Sequence, residues 1–163
     1  MSRIDIVDSM SKTTYSSLDE LRTLTGQEIA VTDWVLIDQP RINQFAQATG
    51  DHQWIHVDPE RAARESPFGT TVAHGFLTLS LIAEFLQSSI ACHGVRMGLN
   101  YGLNKVRFTS PVTVDSQVRG RATLLSIEDL PDQAVQMAWS VIVEIEGKTK
   151  PACVAELLSR WYF

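Results

Sequence analysis

The chain has 163 residues, 44% of them hydrophobic and 20% charged, enough to close one soluble domain over a sizeable core. Its formal net charge of −5 argues against a nucleic-acid-binding surface. Cys92 and Cys153 form no CxxC and are too few for a disulfide scaffold, so they are expected as reduced core thiols and the compartment as the cytoplasm. Residues 1–14 are polar, carry Asp5 and Asp8, and are expected to be a mobile segment rather than a secretory signal, ahead of a single domain over 15–163.

The first element predicted is a short helix over Ser17–Leu24, capped by Ser16 or Ser17 and followed by Gly26. Glu28–Leu36 alternates apolar and polar residues, as a half-buried strand does. Asp38 then caps a helix with Pro40 in its first turn; Ile42, Phe45, Ala46 and Ala48 form its apolar stripe and Gly50 its stop. Asp51–Ile55 has no clear period. Asp58-Pro59-Glu60-Arg61 opens another short helix, and Ser66-Pro67-Phe68-Gly69 is loop chemistry. From Gly75 to about Ile90, the residues Leu77, Leu81, Ile82, Phe85 and Leu86 recur at helical spacing. Phe76, Leu79 and Ala83 widen the apolar face, so this helix is expected to be surrounded. Glu84, Gln87 and several hydroxyls set it apart from a membrane span. Four strands follow, over Met97–Leu103, Gln117–Leu124, Val135–Glu146 and Ala152–Phe163. Consecutive strands with short links imply an antiparallel sheet. The fold class is therefore α+β, one long helix against a curled antiparallel sheet.

The chemistry concentrates where the second helix ends. Asp51 and His56 follow Gly50 in one loop, and a carboxylate and an imidazole brought to one point can hold a water and move its protons near neutral pH. Each has a plainer reading alone, Asp51 as a turn residue and His56 as a satisfied structural histidine. A second signal, Ala73-His74-Gly75, opens the long helix. His74 either orients the loop or caps the helix. Gly75 either lets the chain turn tightly or brings a free N–H to a developing negative oxygen, helped by the positive helix end. His52-Gln53-Trp54-Ile55-His56 resembles a zincin HExxH with Gln in place of the Glu base and no third ligand, so no metal is expected. Lys105 and Arg107, like Arg119 and Arg121, stand two apart on a strand, where they either hold phosphates or simply face solvent. Trp54 either lines an acyl or pantetheine channel or packs the loop. There is no GxSxG, P-loop or post-strand GxGxxG, which leaves hydrolase, nucleotide and dinucleotide readings unsupported and no cofactor expected.

Phe45-Ala46-x-Ala48-Thr49-Gly50-Asp51-x-x-x-x-His56, then Asp58-Pro59-x-x-Ala62, then Ala73-His74-Gly75-Phe76-Leu77, resembles the hydratase motif of the MaoC-like dehydratases, which include the (R)-specific enoyl-CoA hydratases. The run from Asn100 through Asn104-Lys105-Val106-Arg107-Phe108 to Val112 is similar to the NodN-like subgroup. The resemblance covers roughly residues 16–160. It implies a hot-dog fold, an antiparallel sheet wrapped around one long central helix, and a homodimer whose two sheets join side by side. It places the catalytic Asp and His on Asp51 and His56 and the oxyanion N–H on Gly75. Substrate contacts are then expected from Gln53 and Trp54, which stand where many members have Asn and Pro, and from His74, Ser80, Asn100, Lys105 and Arg107. The implied activity is reversible hydration of a trans-2-enoyl-CoA to the (R)-3-hydroxyacyl-CoA. Coenzyme A would enter as part of the substrate, with no further cofactor and neither nucleic acid nor membrane as partner. A non-catalytic acyl-thioester-binding subunit and a thioesterase are the alternatives on the same fold.

Overall fold

The computed structural model describes residues 12–163. In chain order the elements are β1 (Thr13–Tyr15), α1 (Leu18–Arg22), β2 (Glu28–Val31), β3 (Val35–Ile37), α2 (Gln39–Thr49), α3 (Trp54–Val57), α4 (Pro59–Glu65), α5 (Gly75–Ser89), β4 (Ile90–Cys92), β5 (Met97–Phe108), β6 (Ser116–Leu130), β7 (Ala134–Ile145) and β8 (Cys153–Tyr162). The main sheet runs β2-β6-β7-β8-β5, with β3 also on β6, and every pairing in it is antiparallel. This is the hot-dog arrangement, with α5 as the filling.

The caps behave as their residue types require. Ser17 accepts from the Glu20 N–H, Asp38 from the Arg41 N–H and Asp58 from the Arg61 N–H. Gly50 closes α2 at φ 78°, a left-handed conformation that costs glycine little. Leu77, Leu81, Ile82 and Phe85 of α5 are buried in one cluster with Val118, Ala122 and Leu124 of β6, Met137, Trp139, Val141 and Val143 of β7, and Cys153, Ala155 and Leu157 of β8. Each large side chain so buried contributes about 1.5–3 kcal/mol, which makes α5 the element that ties the sheet together. Burial also pushes the Cys153 thiol up to about 11 and raises that of Cys92, so both stay protonated and unreactive near neutral pH.

Several sequence expectations need correction. The strand expected over Glu28–Leu36 is two. Val31 pairs with Arg121 and Val35 with Val118, so this edge carries one residue more than its partner. Thr32 still faces Gly120, its N–H donating to the Gly120 carbonyl and its hydroxyl accepting from the Gly120 N–H, both at 2.9 Å, so the excess falls at Asp33 and Trp34. Thr13 and Thr14, placed in a mobile segment, belong to β1 and run parallel to β4; residues 1–11 of that segment lie outside the described residues. The four late strands are present, β5 and β6 longer than expected, but β5 does not neighbour β6. It crosses to the far edge beside β8.

That far edge is open. Met97, Leu99, Tyr101 and Leu103 of β5 are each between 43% and 55% exposed, an apolar row on an unpaired strand edge. At the other side of the core the fit is tight. A Cβ on Gly120 would lie 2.7 Å from Cδ2 and 3.0 Å from Cβ of Phe85, which is itself buried. Gly120→Ala should therefore destabilise the protein by about 1–3 kcal/mol, read as a lower urea midpoint at unchanged slope; an unchanged midpoint would show that Phe85 moves aside freely.

Candidate functional site

The site forms where the C-terminus of α2, the short α3 and the N-terminus of α5 meet. Gly50 turns the chain out of α2, and the Asp51 carboxylate accepts from the Gln53 N–H at 3.4 Å. α3 then carries His56 inward to 7% exposure while Asp51 stays exposed. The segment 71–73 supports α3 from below. The Val72 N–H donates to the Ile55 carbonyl at 3.0 Å, and the His56 Nδ1–H donates to the Val72 carbonyl at 2.7 Å. That segment is fixed to the chain after β5 by the Val72–Thr113 bridge, Ala73 N–H to Val112 O and Val114 N–H to Thr71 O.

Because a carbonyl can only accept, the bond to Val72 places the proton of neutral His56 on Nδ1 and leaves the Nε2 lone pair free. Burial holds His56 below the ordinary histidine value, with His74 adding to the shift against the opposing Val72 bond and Asp51 charge. The neutral ring is therefore the form the fold favours. One Asp51 carboxylate oxygen and one ring nitrogen each of His56 and His74 lie within 4.8 Å of one another.

These three residues make a poor metal site. His56 uses Nδ1 on Val72, and His74 uses Nε2 on the Asp51 carbonyl at 2.9 Å. The two rings stack with centroids 3.8 Å apart and planes 24° apart. Each of the three supplies at most one donor, and no fourth protein ligand joins them among the described residues.

Gly75 is the first residue of α5, and its N–H has no hydrogen-bond partner among the described residues. It lies in the wall of a cavity of about 360 Å³ with Ala73, Thr78, Phe108 and Val112. A Cβ here would meet Phe108 Cδ2 at 2.9 Å, so glycine lets that ring pack against the start of α5. Asp51 and His56 do not line this cavity; His74, stacked on His56, is the residue before Gly75. A larger cavity of about 460 Å³ lies along the C-terminal half of α5, between Ala83, Leu86, Trp139 and Trp161.

The remaining sequence candidates spread out. Gln53 is exposed at the start of α3. Trp54 is half-buried under the Arg61 guanidinium, 4.5 Å from its ring centroid, and so packs α3 onto α4. His74, expected to touch substrate, is 2% exposed and stacks on His56. Its side chain does not cap α5 either. The Ser80 hydroxyl donates to the Phe76 carbonyl on the exposed flank of α5, away from the Asp51–His56 pair. Asn100 belongs to the wall of the larger cavity. Lys105 and Arg107 are exposed on β5, Arg107 donating to the Val106 carbonyl at 2.6 Å. The sequence reading missed Gln39 and Thr71. Gln39 Nε2 donates to the His56 carbonyl at 2.8 Å and its Oε1 accepts from the buried Thr71 hydroxyl at 2.6 Å. No local pattern marks this brace, since it joins residues 32 positions apart.

Comparison with known proteins gives a consistent set. The family described as "MaoC like domain" matches residues 20–145. The chain is 51% identical over 148 residues to the 3-hydroxyacyl-thioester dehydratase Z of Mycobacterium tuberculosis, covering 91% of this chain and 97% of that one. It is 46% identical over 144 residues to nodulation protein N of Rhizobium meliloti, covering 88% and 89%. Among solved structures, the unliganded R-hydratase PhaJ1 of Pseudomonas aeruginosa superposes with a TM-score of 0.63 at 27% identity, over 83% of this chain and 79% of that one.

The depressed His56 value has a sign for stability. A histidine whose charged form is disfavoured by folding stabilises fully above its unfolded value of about 6.5 and loses that contribution as pH falls through it toward the folded value. The urea midpoint should therefore drop between pH 7 and about 5.5, and drop less in His56→Gln. Parallel drops in both proteins would detach the effect from His56.

Proposed function

The chain belongs to the MaoC-like dehydratase family, and from that premise we propose that it interconverts 2-enoyl and 3-hydroxyacyl thioesters, hydrating a trans-2-enoyl-CoA to the (R)-3-hydroxyacyl-CoA. The observation that carries this reading is the Asp51 carboxylate within 4.8 Å of a His56 ring nitrogen, in one cluster with His74, the residue before the unpaired N–H of Gly75. A water bonded to both groups at about 2.8 Å from each spans such a gap.

In the hydration direction the thioester carbonyl accepts the Gly75 N–H at the positive end of α5, which makes C3 electrophilic. Asp51 accepts one hydrogen of the bridging water and orients it. The free Nε2 of His56 takes the other as the water oxygen bonds to C3, with the Nδ1–H on Val72 steadying the imidazolium. Electrons move through the double bond onto the thioester oxygen, where the Gly75 N–H meets the enolate. The proton then returns to C2, so water is added across the bond and the ring is again neutral. Dehydration is the same path reversed. The cavity beside Gly75 and the larger one along α5 offer room for the thioester and acyl chain. Lys105 and Arg107, exposed on β5, suit the phosphates of coenzyme A.

The apolar row of β5 supports a homodimer in which a second copy covers this edge. Leu99→Lys should shift the protein toward monomer in sedimentation; an already monomeric wild type would end that reading.

Crotonyl-CoA should lose its enone absorbance with purified protein and yield the (R)-hydroxy product on chiral analysis, without release of free thiol. Asp51→Asn and His56→Ala should each lower kcat at least ~100-fold while circular dichroism stays unchanged. Near-normal turnover in either folded variant would remove that residue from the reaction.

A further inference from the structure

Of the two structural roles open to His74, orienting the loop or capping α5, only the first is left to it. It is 2% exposed and its ring stacks on that of His56. Its Nε2 lies 2.9 Å from the Asp51 carbonyl and must donate, so the neutral ring keeps its lone pair on Nδ1. That Nδ1 is buried with no partner, alone in this respect among side-chain polar atoms of the described residues. Leaving a buried acceptor unpaired costs about 1–3 kcal/mol. A phenylalanine would fill the same space without that penalty, and the neighbouring Phe45 ring, 5.0 Å away, shows that the surroundings suit an aromatic residue.

We propose that His74 is the positioning residue of this site: its ring N–H latches the main chain at Asp51 while its ring face backs the His56 imidazole, so that one buried side chain sets the separation of the other two. The proposal rests on the hydration chemistry above for its catalytic consequence, but not for its geometry. The Asp51 loop has no other described side chain holding its carbonyl, and the His56 ring has Val72 at its edge and His74 on its face. The titratable groups facing His56 are Asp51 from the loop and His74 from the start of α5; α2 contributes the uncharged Phe45 beside His74, and segment 71–73 the Val72 carbonyl. With His74 gone, the loop carbonyl is released and water reaches the face of His56. Both the loss of burial and the loss of the neighbouring imidazole raise the His56 titration.

Two variants separate the two contacts. His74→Phe keeps a ring and drops the donor; His74→Gln keeps a donor and drops the ring. Each is first checked for wild-type circular dichroism and urea slope, and Phe, which carries no orphan acceptor, secures a folded case. Both should lower kcat on crotonyl-CoA about 10- to 100-fold, as a small misplacement of reacting groups does, with KM within ~3-fold of wild type. Independently of activity, the NMR titration midpoint of His56 should move upward in both. Folded variants with wild-type kcat and an unmoved His56 midpoint would overturn the proposal. If the wild type hydrates no enoyl thioester, the functional reading falls, and the NMR midpoint alone still decides the role of His74.

Discussion

The hydrogen bond from His56 Nδ1 to the Val72 carbonyl is the contact on which the site depends. It does three things together. It selects the tautomer, so that Nε2 faces outward with a lone pair. It holds the ring in one orientation. It also joins α3, a four-residue helix too short to persist alone, to a segment bridged to the chain before β6. The backbone bond from Val72 to Ile55 and the Gln39 brace on the His56 carbonyl then make α3 a fixed mount rather than a loop. An imidazole mounted this way reorients little on gaining a proton.

The fold supplies the other half of the site through α5. Its apolar face is anchored in the sheet by Leu77, Leu81, Ile82 and Phe85, so its first N–H groups are held still. Two glycines let aromatic rings close on this helix. Gly120 lets Phe85 lie against the β6 backbone, and Gly75 lets Phe108 lie against the first residue of α5. The same helix thus fixes the core at one point and borders a cavity at another.

Legibility in the sequence followed the range of the interactions. The boundaries of α2 and α4 were readable because Asp38, Gly50, Asp58 and Pro59 act within a turn of themselves. The long α5 was readable because its period repeats over 15 residues. α3 was not, since four residues hold no period. β1 and β4 were hidden because each is three residues long and depends on a partner about 77 positions away. The break between β2 and β3 turns on a Thr32 hydroxyl meeting Gly120, a contact with no local signature. In the site, Asp51 and His56 were visible as a pair because a single loop carries both. His74 was visible at the start of α5, but not its partner, because stacking on a ring 18 positions earlier leaves no mark in spacing.

The division between an exposed carboxylate and a buried imidazole follows from the same geometry. Gly50 turns Asp51 toward solvent, where a carboxylate keeps its hydration; α3 turns His56 inward, where charge is disfavoured. Two titratable groups in unlike surroundings suit unlike parts, and in the proposed hydration the buried ring would accept the proton while the exposed carboxylate orients the water. Exchanging their depths would leave an uncompensated carboxylate against the apolar base of α5 and a solvated imidazole with no fixed tautomer. The order of residues after Gly50, with Asp51 outside and His56 one short helix further in, therefore sets two unlike surroundings within a few residues of chain.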